Sequence, residues 1–146
     1  MSDIVETFVE NNREEHFLFE LVSPEKIVFS ERVVSVVLPS ASGSLTVMAH
    51  HAPLVASVVL GSVRVRTSVG EKLFAVCGGV ANITFSGCSL LVEHVVAVEH
   101  LSFDVLEQQI LQVQATLKGG TSDEDNPKIE AFFQQLSADG SSFIEA

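Results

Sequence analysis

Tryptophan and tyrosine are both absent from the 146-residue chain. Those residues anchor many small-molecule and peptide pockets, because each joins a large apolar body to a polar tip. Their absence argues against an enzyme and for an interaction module. Positive charge is also scarce: eight Lys and Arg stand against 19 Asp and Glu, a net charge of −11. Neutralising phosphates needs a basic face, so nucleic acid is excluded as a partner. Only two cysteines occur, Cys77 and Cys88, and the opening MSDIVETFVENN lacks the basic and apolar regions of a secretory signal. Two thiols in that setting point to a reducing cytosol rather than to a disulfide framework. No G-x-S-x-G elbow and no G-x-x-x-x-G-K-S/T phosphate loop is found.

Unbroken hydrophobic runs are missing as well. Val33–Val63 and Leu73–Val92 contain no Asp, Glu, Lys or Arg. The first, however, holds Pro39, Gly43, Pro53 and Gly61, and the second holds Gly78-Gly79 and Ser86-Gly87. A membrane-spanning helix needs about 20 mostly apolar residues without such breaks. Short strands separated by turns account for both runs. Charge is uneven along the chain: −6 over residues 1–31, +3 over 32–92 and −8 over 93–146. A weakly charged apolar block thus lies between two acidic flanks.

Valine sets the class of that block. Of 23 valines, 19 fall between Val22 and Val98, and β-branched residues favour strands. The pattern predicts strands over Phe17–Val22, Arg32–Leu38, Leu45–Met48, Ser62–Thr67, Lys72–Cys77, Val80–Phe85 and Leu90–Glu93. In SVRVRT, Val63 and Val65 face one way and Arg64 and Arg66 the other. Beyond residue 100 the period changes. Phe103, Leu106, Ile110, Val113 and Leu117 make one stripe at helical spacing. Asp104 with Glu107 resembles a capping box, and Gly119-Gly120 a stop. After the acidic loop TSDEDN, Asn126-Pro127 reads as an N-cap followed by proline in the first turn. Ile129, Phe132, Phe133 and Leu136 line this second helix, taken as Pro127–Leu136. The fold class is therefore mostly β, a sandwich followed by a C-terminal helical hairpin. Residues 1–15 form an extension, a short helix or disordered chain; residues 16–99 form the sandwich and residues 100–146 the helix-turn-helix.

Candidate chemistry is thin. His50-His51 are adjacent, and neighbours on an extended chain point to opposite sides, so they seldom share one ion. No Cys or His lies near them at a zinc-site spacing. A turn or contact role suits them better. Cys77 has backbone room beside Gly78-Gly79 but no identifiable base, so a small buried apolar side chain is the better reading. Arg64 and Arg66 read as a solvated strand face. No catalytic residue, metal ligand or cofactor site is assigned.

The stretch from Phe17 to Ile110 resembles the epsilon subunit of bacterial F-type ATP synthases. LVSPEK, VVLP, HAPL followed by LGSVRV, VCGGVANI and LLVEHVVAVEHLSFDVLEQQI occur in the family's order and spacing. The resemblance implies a ten-stranded β-sandwich followed by a helix-turn-helix. It also implies a non-catalytic place in the central stalk, bound to gamma and resting on the c ring, where proton flow turns the stalk and the catalytic head makes ATP. The implied location is peripheral, on the cytoplasmic face of the bacterial inner membrane, with membrane association only through the complex. Transient contact with the alpha and beta subunits through the hairpin is part of the same expectation. In the family a PGHAPL segment lies on a surface loop near the stalk contacts. His51, Ala52, Pro53 and Leu54 match it, while Ala49-His50 replaces Pro-Gly and SASGSLTV departs from an acidic GE-x-GI pattern. The expected partner interface is Met48, His51, Ala52, Pro53 and Leu54. The alternative from a different class is a stand-alone cytosolic sandwich that binds a ligand or peptide. A cysteine hydrolase built on Cys77 is a third.

Overall fold

The structure, a computed structural model, describes residues 15–99, 101–117 and 125–145, with side chains to residue 137 in the last of these. The readings placed on residues 1–14, on Gly119-Gly120 and on most of TSDEDN lie outside the described residues. Eight strands come first: β1 Phe17–Val22, β2 Ile27–Val33, β3 Ser35–Ser40, β4 Gly43–Met48, β5 Leu54–Val58, β6 Gly61–Thr67, β7 Gly70–Ile83 and β8 Gly87–Ala97. Two helices follow, α1 Phe103–Thr116 and α2 Asn126–Glu145.

Pairing resolves the strands into two layers. One is β2-β1-β8-β7-β5, using the first half of β8 and the second half of β7. The other is β4-β3-β6-β7-β8, using the opposite halves. All pairs are antiparallel except β1 with β8. The ten strands implied by the resemblance are thus eight, because β7 and β8 each run through both layers; counted once per layer they would make ten. Lys72–Cys77 and Val80–Phe85, expected as two strands about a glycine turn, are one bent strand. Arg32–Leu38, expected as one, straddles the end of β2 and most of β3. β5 and the start of β2 were not foreseen.

Gly78 and Gly79 make the bend. Both have positive φ, +71° and +146°, a conformation that costs glycine least. At Gly79 a Cβ would lie 1.9 Å from the Leu91 carbonyl oxygen, so the β8 backbone itself forbids a side chain. The pair also inverts the alternation. Phe74 and Val76 face the sandwich interior before the bend, and Ala81 and Ile83 do so after it.

Two cores result. The first fills the sandwich with Phe19, Leu21, Val33, Val36, Leu38, Val63, Val65, Ile83 and Leu90, all almost fully buried. The second lies outside the β6-β7-β8 layer, where Leu60, Ala75, Cys77 and Val98 meet Leu106, Ile110, Ile129, Phe132, Phe133 and Leu136. Both predicted helical stripes face this second core, except Phe103, which lies against Arg64. Polar pins orient α1 over it. Gln114 Nε2 donates to the Leu60 carbonyl at 3.0 Å, and Ser62 Oγ donates to Glu107 at 3.0 Å.

The caps differ from expectation. Ser102, not Asp104, caps α1, its hydroxyl accepting from the Val105 N–H at 3.3 Å. Glu107 is turned to Ser62 instead of back along the helix. At α2 the buried Asp125 precedes the helix, and its carbonyl accepts from the Lys128 and Ile129 N–H groups. Asn126 is therefore inside the helix. That helix has 20 residues, about 30 Å at 1.5 Å per residue, roughly twice the expected length. Among the described residues no helix is long and apolar enough to cross a membrane.

The two cysteines are free and lie in different cores, Cys88 inside the sandwich and Cys77 beneath the hairpin. Burial, reinforced at Cys77 by the nearby Glu93 carboxylate, pushes the Cys77 thiol up to about 11. Burial alone pushes Cys88 up to about 12. The thiolate is the reactive species, so neither thiol is poised as a nucleophile near neutral pH. A test of this two-core arrangement is alkylation by iodoacetamide at pH 8, read by peptide mass spectrometry. The intact chain should label slowly at both sites. Removing residues 102–146 should speed labelling of Cys77 by about tenfold or more, while Cys88 stays protected. Equal acceleration at both would mean that the hairpin supports the sandwich core as well.

Candidate partner-binding surface

The expected interface residues gather on one turn. Met48 ends β4 and is half exposed, Leu54 opens β5 with 41% of its surface exposed, and Ala52 and Pro53 are exposed between them. His51 is less exposed. Its N–H donates to the Met48 carbonyl at 3.3 Å, closing a four-residue turn. Its ring Nδ1 donates to the Ala52 carbonyl at 2.6 Å, which fixes the approach to Pro53.

His50 occupies the third position of that turn with φ of +66°. Left-handed backbone there, with Ala49 outside that region, is the type II pattern, which asks for glycine. The usual Pro-Gly of the resembling family meets this demand. Ala49-His50 keeps the turn at a strain cost of about 1–2 kcal/mol, the penalty for an L-residue in left-handed backbone. Side-chain contacts offset part of it. The imidazole touches the Glu15 carboxylate and lies against Phe85, with ring centroids 4.6 Å apart. His50 thus ties the start of the described chain and the β7–β8 turn to the β4–β5 turn. The two histidines turn to different partners, and among the described residues no group of three or more His, Cys, Asp or Glu side chains could hold a metal ion.

The sequence reading missed a second apolar feature. On the outer face of the β2-β1-β8-β7-β5 layer, cross-strand register sets Ile27 beside Val22, Val22 beside Leu91, and Leu91 beside Val80. Ile27, Val80 and Leu91 are 60%, 45% and 52% exposed, and Val55 adds to the same face. Such a row on a small domain is a candidate contact surface. The signal was present in Leu90-Leu91: two adjacent leucines in one strand point to opposite faces, so one of them must leave the core. The opposite outer face of the sandwich is the one that the hairpin covers.

Arg64 is not a simple solvated side chain. It is half buried, pairs with Glu71 at 3.2 Å and lies 4.7 Å from the Phe103 ring centroid. A cleft of about 550 Å³ opens beside it, lined by Phe29, Lys72, Glu99 and Leu101 among others. Its basic groups are flanked by Glu71 and Glu99, so charge does not converge there on one kind of ligand.

Comparison with known proteins accords with this architecture. The family model described as ATP synthase, Delta/Epsilon chain, beta-sandwich domain matches residues 16–98. The ATP synthase epsilon chain of Bartonella quintana (strain Toulouse) is 77% identical over 133 residues, covering 90% of this chain and 96% of that one. Its counterpart in Bartonella henselae is 71% identical over 138 residues, covering 94% and 100%. That of Rhizobium meliloti is 44% identical over 133 residues, covering 90% and 98%. Among solved structures, a chain of the Euglena gracilis mitochondrial ATP synthase shares the fold, with a TM-score of 0.58 at 17% identity over 84% of this chain and 80% of that one. The sandwich, the hairpin laid on one face of it and these relatives together show that the chain belongs to the ATP synthase epsilon-chain family.

Proposed function

We propose that the chain is a rotor component of the central stalk, seated on gamma and on the c ring, and that it couples proton flow to ATP synthesis in the catalytic head. It is a non-catalytic subunit. The sandwich supplies the seat, and α1 and α2 lie beside it. The observation that carries the reading is the inequality of the two outer faces. One is covered by the chain's own helices. The other leaves Ile27, Val80 and Leu91 in water, with the Met48–Leu54 turn close to its β5 side. Apolar surface left open in this way is removed from water most readily by a protein partner. Association through gamma and the c ring places the subunit on the cytoplasmic face of the bacterial inner membrane as a peripheral component. A stand-alone ligand-binding role has less support, because the cleft beside Arg64 does not converge on a ligand class.

Charge shapes the role of the hairpin. Residues 102–146 carry eight acids and two lysines, a net of −6. Opposite unit charges about 4 Å apart gain about 4 kcal/mol at an effective dielectric of about 20, and like charges lose a similar amount before screening. Docking of this hairpin on an acidic surface of the head is therefore opposed, and weak inhibition of ATP hydrolysis is proposed. At 20 residues α2 is long enough to reach far, so its length does not limit the hairpin. What remains is charge, together with the burial that holds α1 and α2 on the sandwich. Transient contact with the alpha and beta subunits belongs to the undocked hairpin.

Three measurements test this reading. Replacing His51 or Leu54 by Asp should weaken binding to gamma by about tenfold, or about 1.4 kcal/mol, in a direct titration, with the melting temperature of the isolated chain nearly unchanged. Unchanged affinity would move the seat elsewhere on the sandwich. Calorimetry of the isolated chain with ATP should register no micromolar binding. No arginine follows Arg66, and Lys118 and Lys128 lie among acids, a poor field for a triphosphate. Deleting residues 102–146 should leave ATP hydrolysis by the reconstituted catalytic head within about twofold. A several-fold rise that persists at high salt would show an inhibitory hairpin held by apolar docking.

A further inference from the structure

The β3–β4 ladder ends with Ser35 opposite Met48, and the β5–β7 ladder begins with Leu54 opposite Ile83. Residues 49–53 therefore lie between two ladders, without a strand neighbour to hold their backbone. Because Leu54 is paired with Ile83, the β7–β8 turn stands beside this loop. Ala49 packs on the sandwich core, and the hydrogen bonds of His51 are local, to Met48 and Ala52. His50 is the residue that reaches across. Its ring centroid lies 4.6 Å from that of Phe85 in the β7–β8 turn, and its imidazole touches the Glu15 carboxylate.

Two local rules are broken at this one contact. His50 has φ of +66°, a backbone in which glycine sits without strain. Phe85 keeps 61% of its surface in water. Strained backbone persists where the surrounding structure over-determines it, and it gathers at functional sites. If the ring contact served only to offset the strain, glycine at residue 50 would remove strain and contact together, and the loop would stay as it is. The place of the loop gives the contact a second effect. A loop without ladder bonds samples many conformations, and ordering it against a partner costs conformational entropy. A ring anchored on the neighbouring turn limits that sampling beforehand.

We propose that His50 is a positioning residue: its imidazole clasps the β4–β5 turn to the β7–β8 turn and holds Met48–Leu54 in one conformation before a partner arrives. The inference rests on the reading that this turn meets gamma, and it adds how the turn is prepared. The Phe85 ring is the main anchor. The imidazole and the Glu15 carboxylate are 54% and 65% exposed, and a contact between groups so exposed is screened by water. Stability and affinity should therefore part at residue 50. Glycine there relieves the backbone but frees the turn.

The test is a double-mutant cycle on the full chain, with His50→Gly, Phe85→Ala and the two together. Amide hydrogen exchange read by NMR follows the His51 N–H, which donates to the Met48 carbonyl, and the Gly87 N–H, which donates to Thr84 Oγ1. His50→Gly should speed exchange at both by about fivefold or more, with a melting temperature equal to or above that of the natural chain. His50→Asn, which tolerates left-handed backbone but carries no aromatic ring, should match it, so that glycine's own freedom is not the cause. Phe85→Ala should act alike, and the double variant should add little to either single one. In a direct titration His50→Gly should bind gamma about threefold or more weakly. Thermal melts confirm that each variant is folded, and His50→Asn decides if Phe85→Ala is not. Exchange left within about twofold by His50→Gly overturns the proposal, and so do effects that simply add in the double variant. Faster exchange with an unchanged affinity for gamma overturns it as well. A natural chain that does not bind gamma refutes the stalk reading instead, and the exchange cycle alone then decides the clasp.

Discussion

Between Phe74 and Cys77, β7 meets no water on either face. Phe74 and Val76 close the sandwich interior, while Ala75 and Cys77 close the core beneath the hairpin. A strand covered on both sides must be apolar at every position, and FAVC is. The same strand must then cross into the other layer, which requires the bend at Gly78 and Gly79. Because a Cβ at Gly79 would strike the β8 backbone, the bend is fixed by close approach as well as by φ. Both layers, the hairpin and the outer apolar row take their positions from this one strand. Burying a large apolar side chain contributes about 1.5–3 kcal/mol, and a neutral hydrogen bond nets about 0.5–1.5 kcal/mol. Leu106, Ile110, Ile129, Phe132, Phe133 and Leu136 therefore hold the hairpin down, and Gln114 and Glu107 mainly set its angle.

The hairpin's stripes were legible because helical spacing places buried residues on one face regardless of what covers it. Phe103 to Leu117 and Ile129 to Leu136 needed no tertiary information. The two glycines of β7 were legible as a break but not as a bend, since a turn and a strand crossing between layers ask for the same φ. Counting strands failed for that reason. The N-caps were displaced by one or two residues because Ser102, Asp104, Asp125 and Asn126 all have capping side chains, and packing decides among them. α2 runs past Leu136 through Asp139 and Gly140, residues of low helix propensity, so the sequence pattern alone stopped it too soon.

At the candidate surface, the turn from Met48 to Leu54 was readable from the HAPL match, but the role of His50 was not. Its left-handed backbone explains why glycine is the residue the resembling family uses there. Its contacts with Glu15 and Phe85 come from distant parts of the chain and have no local signature. The outer row of Ile27, Val22, Leu91 and Val80 spans four segments, so only cross-strand register assembles it. The single-residue hint at Leu91 was there, but one exposed leucine is ordinary on any surface.

The two long strands also have a mechanical meaning. β7 and β8 have 14 and 11 residues, contours of about 45 and 35 Å at 3.2–3.4 Å per residue. They are paired with each other from Phe74 to Ile83 of β7 and from Cys88 to Ala97 of β8, and reach from one layer into the other. A load applied along these strands meets many ladder hydrogen bonds in shear at once, whereas a load across them would open the bonds one after another. Under the proposed stalk role, in which the subunit turns under torque, the bent pair would act as an internal spar. It makes the sandwich stiffest along one direction, and that direction is set by two glycines.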